Sequence, residues 1–435
     1  MHAAGRNGHL QLLNSSVKVF NMTTLVFDPF APEHMRAPFA TYARLRDEAP
    51  VHFQPWAQVP ATSHAAAADP GGGFYVLSRF DDVFAAARDT ETFSSAEGLS
   101  LDGGDRKALG LAPTIVMMDP PEHTAYRRLV SRGFTPRAVA PLEPEVRAFV
   151  RARLDVMAEE LAATGETDLI AGLAGPLPSF VVAHYLGVPP EDRDRFDRWT
   201  AAIVAANAGG DVLADALEAV TDLYGYFTEL LERRRREPGD DMISTLVQAS
   251  LGDEEVSPEA VLGYAFVMVA GGNDTATGLL GGAAELLAAH PDQRRALRDD
   301  PSLIDGALEE LLRLTSPVQG LSRAVTRDVE VRGTTIPAGS RVHLLYGAAN
   351  RDPREFGADA DALDIGRSIA KILTFTSGPH YCLGSHAARL QGRVALEELL
   401  ERFGDYELDL DRAAYAPGAF VRRFETLPLT APPAP

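Results

Sequence analysis

The chain has 435 residues, of which 46% are hydrophobic and 23% are charged, and this composition excludes a largely disordered, collagen-like or fibrous protein. Aspartate and glutamate (61) outnumber lysine and arginine (41), so the net charge of −20 argues against nucleic acid as a partner. The single cysteine excludes an internal disulfide and any site built on CxxC pairs, and it indicates a reducing, cytoplasmic setting.

Helical spacing of apolar residues dominates the chain. The predicted helices are 39–48, 79–89, 122–133, 141–164, 190–206, 212–236, 258–289, 292–299, 302–315 and 384–401. Ser257 before Pro258 is a typical helix start, and Asp119 before two prolines predicts another. The few strand signals lie at 73–78, 328–332, 341–345 and 420–429. The middle two flank a Pro-Ala-Gly turn, which predicts that they pair as a hairpin.

No linker or repeat divides residues 23–435, so they are predicted to form one mainly α domain with a small β-rich part. Residues 1–22 carry no apolar secretory segment, and the change in character after Met22 predicts a disordered N-terminal extension. The apolar run 261–284 is interrupted by polar residues between 273 and 277, which a membrane span would not tolerate cheaply. We therefore expect no membrane anchor.

The only cysteine, Cys382, lies in the segment 375–391 (FTSGPHYCLGSHAARLQ). An isolated cysteine is most often a small buried hydrophobe. Here Gly378 and Gly384 bracket it, and the predicted helix starts at once, so the sulfur lies at a helix N-terminus, which favours the thiolate. With no partner cysteine, a single-thiolate site such as haem iron fits, because the macrocycle supplies the other ligands.

Seven positions of this segment form one pattern: Phe375, Gly378, His380, Cys382, Gly384, Ala388 and Arg389. The pattern resembles the haem-binding loop of cytochrome P-450 monooxygenases. The resemblance implies haem b as cofactor, Cys382 as its iron ligand, and Phe375, His380 and Gly384 beside it. Three positions depart from the family, which usually has Gly, Leu and Glu where this chain has Thr376, Ala387 and Gln391. We expect the β-carbon of Thr376 to alter the hydrogen bonding of the loop to the sulfur.

A second motif, AGGNDTAT at 270–277, lies inside the longest predicted helix. On its own it could be a helix weakened by glycine that carries a stray polar pair. Gly271 and Gly272 let a flat or diatomic ligand approach the backbone, and Thr275 can hydrogen-bond to a carbonyl one turn earlier. The motif resembles the oxygen-binding helix of the same family. That resemblance implies that Gly271 borders the cofactor and that the catalytic residues are Asp274 and Thr275.

Two further motifs carry charged pairs on one helical face. Glu310 and Arg313 form EELLR, and most such pairs are exposed ion pairs of little energetic worth. The segment resembles the Glu-x-x-Arg helix of the family, in which the pair is buried and structural, and Arg367 is the expected third member. His123 and Arg127 could equally be exposed polar residues, yet the segment 118–139 resembles the family's helix that holds the haem propionates. Arg323 and His380 match two further propionate-binding positions.

The resemblance spans residues 27–429 and implies the P-450 fold, a triangular helical prism with a small β-rich subdomain. It also implies a monooxygenase that inserts one atom of dioxygen by hydroxylation or epoxidation. Electrons would come from NAD(P)H through a ferredoxin reductase and a ferredoxin. His386, Arg389 and Arg393 are either a basic patch for that ferredoxin or simply a solvated helix face. We expect a cytoplasmic monomer.

The resemblance also implies a substrate site lined by Val116, Ala270, Asn273, Val318, Leu321, Phe420 and Val421. These residues are largely apolar, so the substrate is expected to be a hydrophobic small molecule, and fatty acids, steroids, terpenoids and polyketides all remain open. A peroxide-driven peroxygenase or decarboxylase of this fold typically lacks the acid–alcohol pair, and a haem-thiolate gas sensor or ligand-binding protein has no use for it. Asp274 and Thr275 therefore favour the monooxygenase.

Overall fold

Helices form most of the computed structural model, which describes residues 25–59, 72–101, 114–205, 212–418 and 421–431. In chain order the helices are α1 (Pro32–Arg36), α2 (Phe39–Glu48), α3 (Phe80–Arg88), α4 (Glu122–Val130), α5 (Pro136–Val139), α6 (Glu143–Thr164), α7 (Pro176–Leu186), α8 (Arg193–Ala205), α9 (Val212–Arg236), α10 (Met242–Val247), α11 (Pro258–Ala289), α12 (Pro291–Asp299), α13 (Ile304–Thr315), α14 (Tyr346–Ala349), α15 (Pro353–Phe356) and α16 (Ser385–Phe403). The predicted extension 1–22 lies outside the described residues, and the division into one domain stays a prediction.

The helix predictions succeed where one face is apolar and the start is marked. The helices α2, α9 and α11 have the predicted bounds, and the Ser257 side chain caps α11 by accepting the backbone N–H of Ala260 at 3.2 Å. The helix α7 escaped prediction because its sequence, PLPSFVVAHYL, is apolar on almost every side and has no helical period. Asp119 does not cap α4, since its carboxylate accepts the backbone N–H of Ser95 at 2.9 Å.

The strands are β1 (Val51–Pro55), β2 (Gly73–Leu77), β3 (Phe93–Ser94), β4 (Glu166–Asp168), β5 (Ser250–Leu251), β6 (Glu254–Glu255), β7 (Leu321–Val325), β8 (Val329–Val331), β9 (Thr334–Ile336), β10 (Arg341–Leu344), β11 (Glu407–Leu408), β12 (Ala414–Tyr415), β13 (Phe424–Thr426) and β14 (Pro428–Thr430). The largest sheet has the order β1-β2-β10-β7-β3, in which β10 runs parallel to β2 and antiparallel to β7. The strand β14 lies between β11 and β4, while β12–β13, β5–β6 and β8–β9 form two-stranded pairs.

The predicted hairpin between 328–332 and 341–345 is wrong. The strand β8 pairs instead with β9, and β10 joins the large sheet. Arg332 and Gly333 both have a positive φ, 52° and 78°, so they form a tight turn that the sequence analysis overlooked. The Pro-Ala-Gly turn then leads from β9 into β10 rather than closing a hairpin.

The helix α11 lies at the centre of the helical part. Its second half packs with α6, α7, α13 and α16 in one apolar cluster, and its first half packs with α8, α9 and α10 in another. One glycine lets two of these helices pack closely: a β-carbon on Gly392 of α16 would lie 2.9 Å from the Leu308 side chain of α13. Among the described residues, no helix combines the length and the apolar run needed to cross a bilayer.

Candidate functional site

Cys382 lies on a short loop between the turn Gly378–His380 and α16. Its backbone N–H donates to the carbonyl of Phe375 at 3.0 Å, which ties the loop to the preceding segment. The side chain is exposed, yet protein packed around it desolvates the thiol, as expected for a group on the wall of a cleft. This desolvation raises the pKa of Cys382, and the Gly384 backbone N–H and the charges of Arg127 and Arg389 only partly oppose it.

Burial therefore opposes the effect expected of the helix N-terminus, and the thiolate state of Cys382 stays a prediction. A metal ion at the sulfur would favour the thiolate, because a coordinating thiol loses its proton outright. Gly384 leaves room on this side, since a β-carbon there would meet nothing within 4 Å.

Four cationic or donor side chains converge beside Cys382. The rings of His123 and His380 lie 4.2 Å apart, and both His123 and Arg323 are buried. Arg127 donates to the carbonyl of Tyr381 at 2.5 Å, and Arg323 donates to the carbonyl of Ser322 at 2.8 Å. Burial first, then the charges of Arg323, His123 and Arg127, lowers the pKa of His380 to about 3.

This cluster fits an anion with several acceptor oxygens. Within the described part of the chain, none of the four side chains has a carboxylate partner, and His123 Nδ1 and His380 Nε2 are buried without a hydrogen bond. Buried donors without acceptors, and a buried guanidinium without an anion, are costly unless a ligand compensates them. The two propionates of a haem meet that requirement, so the residues present fit the group that the sequence analysis expected.

The helix α11 turns an open face to the cleft at Gly271. A β-carbon on Gly271 would meet nothing within 4 Å, and the Thr275 hydroxyl donates to the Gly271 carbonyl at 2.8 Å, one turn earlier as expected. Gly272 has a different role, because a β-carbon there would lie 2.7 Å from the Val182 side chain of α7. Gly271 therefore opens the cleft, while Gly272 lets two helices pack closely.

Asp274 is 2% exposed and forms an ion pair with Arg423, whose Nε lies 2.5 Å from Asp274 Oδ1. The segment carrying Arg423 crosses α11 at Gly278, where a β-carbon would lie 2.7 Å from the carbonyl of Arg422. The absence of a side chain at Gly278 thus lets Arg423 reach the carboxylate one turn away. Sequence reasoning missed Arg423, although a buried aspartate within an apolar helix does call for a cationic partner.

The apolar residues predicted to contact substrate fall into two groups. Val116 and Ala270 are partly buried against the cluster around α11, together with Val267 and Leu383, the residue after Cys382. Val318 and Leu321 are partly buried against the cluster of the large sheet, and Val318 forms a β-bridge with Val421. Phe420 lies outside the described residues. Val267, one turn before Gly271, was missed.

The Asn273 side chain does not lie on the face of α11 that carries Gly271. Asn273 lies two residues after Gly271, which is about 200° around the helix. Its side chain is 4% exposed, and its Nδ2 donates to the carbonyl of Val269 at 2.7 Å. The amide therefore hydrogen-bonds the helix backbone, and a contact between Asn273 and substrate stays a prediction.

Glu310 and Arg313 are both fully buried and form two hydrogen bonds of 2.7 Å. Arg367 joins Glu310 at 3.1 Å, so the three residues meet as the sequence analysis expected. Arg313 also donates to the carbonyls of Asn350 and Ala360 at 2.7 Å and 2.6 Å. The arrangement connects α13 to the chain that leads into the Cys382 loop.

Thr376, where the family usually has Gly, has a φ of +54°. This left-handed conformation costs an L-residue about 1–2 kcal/mol. The hydroxyl donates to the Tyr346 hydroxyl at 3.2 Å rather than turning to the sulfur of Cys382. The effect of Thr376 on the loop is therefore exerted through the backbone.

The basic patch expected around α16 is largely neutralised. Arg389 pairs with Glu309 at 2.9 Å, and Arg393 pairs with Glu397 at 3.0 Å and also with Glu143. Three other arginines are exposed near the Cys382 loop and have no ion pair within the described residues: Arg128, Arg132 and Arg137. They lie on α4, on α5 and on the turn between them, and α4 contacts the loop through Arg127. The free positive charge thus belongs to this segment rather than to α16.

A mainly helical fold in which one cysteine lies beside a cluster of cationic and donor side chains, with an apolar helix face nearby, is typical of a haem-thiolate protein. The comparisons with known proteins agree. The sequence profile of the cytochrome P450 family matches residues 209–409. Cytochrome P450 130 of Mycobacterium tuberculosis is 53% identical over 399 residues, which cover 91% of this chain and 94% of the relative.

Vitamin D(3) 25-hydroxylase of Pseudonocardia autotrophica is 36% identical over 412 residues, covering 93% of this chain and 96% of the relative. A cytochrome P450 of Mycobacterium marinum in complex with pseudoionone matches with a TM-score of 0.81 and 31% identity, covering 90% of this chain and 94% of that chain. This chain therefore belongs to the cytochrome P450 family. It is an oxidoreductase of the monooxygenase class that carries protoporphyrin IX haem.

The burial of Glu310 and Arg313 leads to a stability prediction. We expect Arg313→Ala to lower the free energy of unfolding by about 3–5 kcal/mol, because the Glu310 carboxylate is left buried without its guanidinium. Arg235→Ala is the matched control, since Arg235 and Glu232 have the same spacing but are 36% and 57% exposed. We expect less than about 1 kcal/mol for that control. Equal losses in urea denaturation would contradict the structural role of the buried pair.

Proposed function

We propose that this cytochrome P450 hydroxylates or epoxidises a hydrophobic small molecule and that Cys382 is the ligand of its haem iron. The observation that carries the proposal is the group of four cationic or donor side chains beside Cys382, of which His123 and Arg323 are buried and none forms an ion pair with a carboxylate of the described residues. Haem held by a thiolate supplies the activation of dioxygen.

The residues around Cys382 would hold and orient the haem. His123, Arg127, Arg323 and His380 would bind the propionates through charge-assisted hydrogen bonds, which would offset the burial of His123 and Arg323. Gly271 and Gly384 border open space and leave room for the macrocycle. Phe375 accepts the Cys382 backbone N–H and stacks its ring under Arg389 at 4.6 Å, which fixes the loop from its outer side.

Asp274 and Thr275 would deliver the protons that the reaction consumes. Thr275 lies on the open face of α11, and its hydroxyl rests on the Gly271 carbonyl. The Asp274 carboxylate is held by Arg423, so passing a proton through it requires that ion pair to open. The acid–alcohol pair of Asp274 and Thr275 distinguishes the proposed monooxygenase from a peroxide-driven peroxygenase, in which a substrate carboxylate takes the place of the pair.

A hydrophobic substrate is supported by the apolar residues on both sides of the cleft: Val116, Val267, Ala270, Val318, Leu321 and Val421. Such a lining binds by shape and by exclusion of water, with few polar contacts. The named substrate of one relative and the ligand of one structural neighbour, vitamin D(3) and pseudoionone, are both hydrophobic. We use these two compounds as the first probes.

The electron donor that we propose is an acidic ferredoxin, in a cytoplasmic setting. Arg128, Arg132 and Arg137 give the acidic protein a local positive surface next to the Cys382 loop. Complementary charge raises the association rate, and its effect falls with ionic strength.

Removing the Thr275 hydroxyl should uncouple the reaction. With vitamin D(3) or pseudoionone as probe, and ferredoxin, its reductase and NADPH as the electron supply, we expect Thr275→Ala to raise the hydrogen peroxide released per NADPH consumed by roughly tenfold. Thr275→Ser keeps the hydroxyl and should stay near the wild-type ratio. Unchanged coupling in Thr275→Ala would contradict the proposed proton delivery.

Reversing one charge on the proposed docking surface should slow electron transfer. We expect Arg132→Glu to raise the ferredoxin concentration needed for half-maximal reduction of the haem by about tenfold at low salt, and much less at high salt. Arg236→Glu is the control, because Arg236 is an exposed arginine at the end of α9, outside the α4–α5 segment. An equal effect of both variants would contradict this surface as the docking site.

A further inference from the structure

The loop that carries Cys382 is held in place by a threonine in an unfavourable backbone conformation. Thr376 has a φ of +54°, a region that a β-branched residue rarely adopts. Such a conformation persists only where the surrounding contacts determine it, and it is often found next to functional groups. Glycine would adopt it without cost, so the side chain of Thr376 must contribute something in return.

The Thr376 side chain contributes a hydrogen bond to a buried tyrosine. The Thr376 hydroxyl donates to the hydroxyl of Tyr346, which is 1% exposed on α14. Within the described part of the chain, Thr376 is the hydrogen-bond partner of that phenol. Loss of either hydroxyl would leave a buried polar group unsatisfied or would release the loop.

The same short helix holds the other end of the turn. Asn350, directly after α14, accepts the Leu373 backbone N–H at 2.7 Å and donates to Thr374 at 3.0 Å. The turn closes on itself through the Thr376 N–H, which donates to the Leu373 carbonyl at 2.8 Å. The segment 373–376 is therefore fixed to α14 at both ends.

The turn 373–376 sets the orientation of the Phe375 carbonyl, which is hydrogen-bonded to the Cys382 backbone. The Phe375 carbonyl belongs to the peptide unit whose rotation the φ of Thr376 defines, and it accepts the Cys382 backbone N–H at 3.0 Å. A fixed Thr376 thus fixes the backbone at Cys382. With glycine at 376, that peptide unit could rotate more freely, and water or other donors could approach the sulfur.

We propose that Thr376 and Tyr346 form a positioning pair that holds the Cys382 backbone and thereby tunes the reduction potential of the haem iron. The proposal rests on the proposed role of Cys382 as iron ligand. Hydrogen bonding and solvent at a ligating sulfur raise the potential of its metal, so a rigid loop that limits both keeps the potential low. Thr376 acts through the backbone.

The test measures the midpoint reduction potential of purified holoenzymes without substrate. We expect Thr376→Gly and Tyr346→Phe each to shift the ferric–ferrous equilibrium about threefold toward the ferrous form, which is about 28 mV at about 59 mV per tenfold change. The double variant should shift no further than Thr376→Gly, because both changes break one interaction. Thr376→Ser keeps the hydroxyl and should retain the wild-type potential.

Tyr406→Phe is the matched control for general destabilisation. Tyr406 is also 1% exposed, and its hydroxyl donates to the Ala284 carbonyl at 3.0 Å, away from the Cys382 loop. It should lose stability and keep the wild-type potential. Wild-type potentials in Thr376→Gly and Tyr346→Phe, with only their free energies of unfolding changed, would overturn the proposal.

Failure of the underlying assignment has a separate signature. If the reduced wild-type protein with carbon monoxide lacks the long-wavelength band of thiolate-ligated haem, both this proposal and the role of Cys382 are overturned. If that band is present and the potentials do not move, the positioning pair alone is overturned.

Discussion

The constraint on which the site depends is electrostatic: His123, Arg127, Arg323 and His380 are brought together beside Cys382, and none of them forms an ion pair with a carboxylate of the described chain. The desolvation of the Arg323 guanidinium and of the unpaired histidine nitrogens opposes folding unless a ligand compensates them. Burial raises the pKa of the Cys382 thiol, and the nearby arginine charges oppose this only in part, so a cationic metal at the sulfur would favour the thiolate. Haem would supply a cationic metal for the sulfur and two carboxylates for the four donor side chains. It therefore meets the needs of both parts of the site.

The buried Glu310–Arg313 pair helps to fix the backbone of the Cys382 loop. Arg313 binds the carbonyl of Asn350, and Asn350 in turn binds both Leu373 and Thr374 at the start of the Cys382 loop. The position of the sulfur is thus coupled to a charge pair buried in α13 through a continuous series of hydrogen bonds. On the other side of the cleft, the Asp274–Arg423 pair couples the proposed proton donor to the segment that carries Val421. Structural ion pairs therefore hold both the proposed metal ligand and the proposed acid.

Much of this site could be predicted because its signals are local. The spacing around Cys382, the i to i+4 pair of His123 and Arg127, and the Thr275 hydrogen bond to Gly271 all follow from one loop or one helix. Arg423 and Tyr346 could not be found this way, because each reaches its partner from a distant part of the chain. The role of Asn273 could not be chosen from the motif, which gives residue order but not the helix face. The surface around Arg389 and Arg393 stayed open because their acidic partners lie on other helices or one turn away.

The central claim is that Cys382 binds the haem iron as a thiolate, and the most direct measurement is the absorption spectrum of the reduced, carbon monoxide-treated holoenzyme. The account predicts the long-wavelength Soret band that is peculiar to thiolate-bound haem, and it predicts loss of that band in Cys382→Ser with haem still retained by the cation cluster. A wild-type band at the shorter wavelength of histidine- or thiol-ligated haem, or a Cys382→Ser variant that keeps the long-wavelength band, would contradict the account.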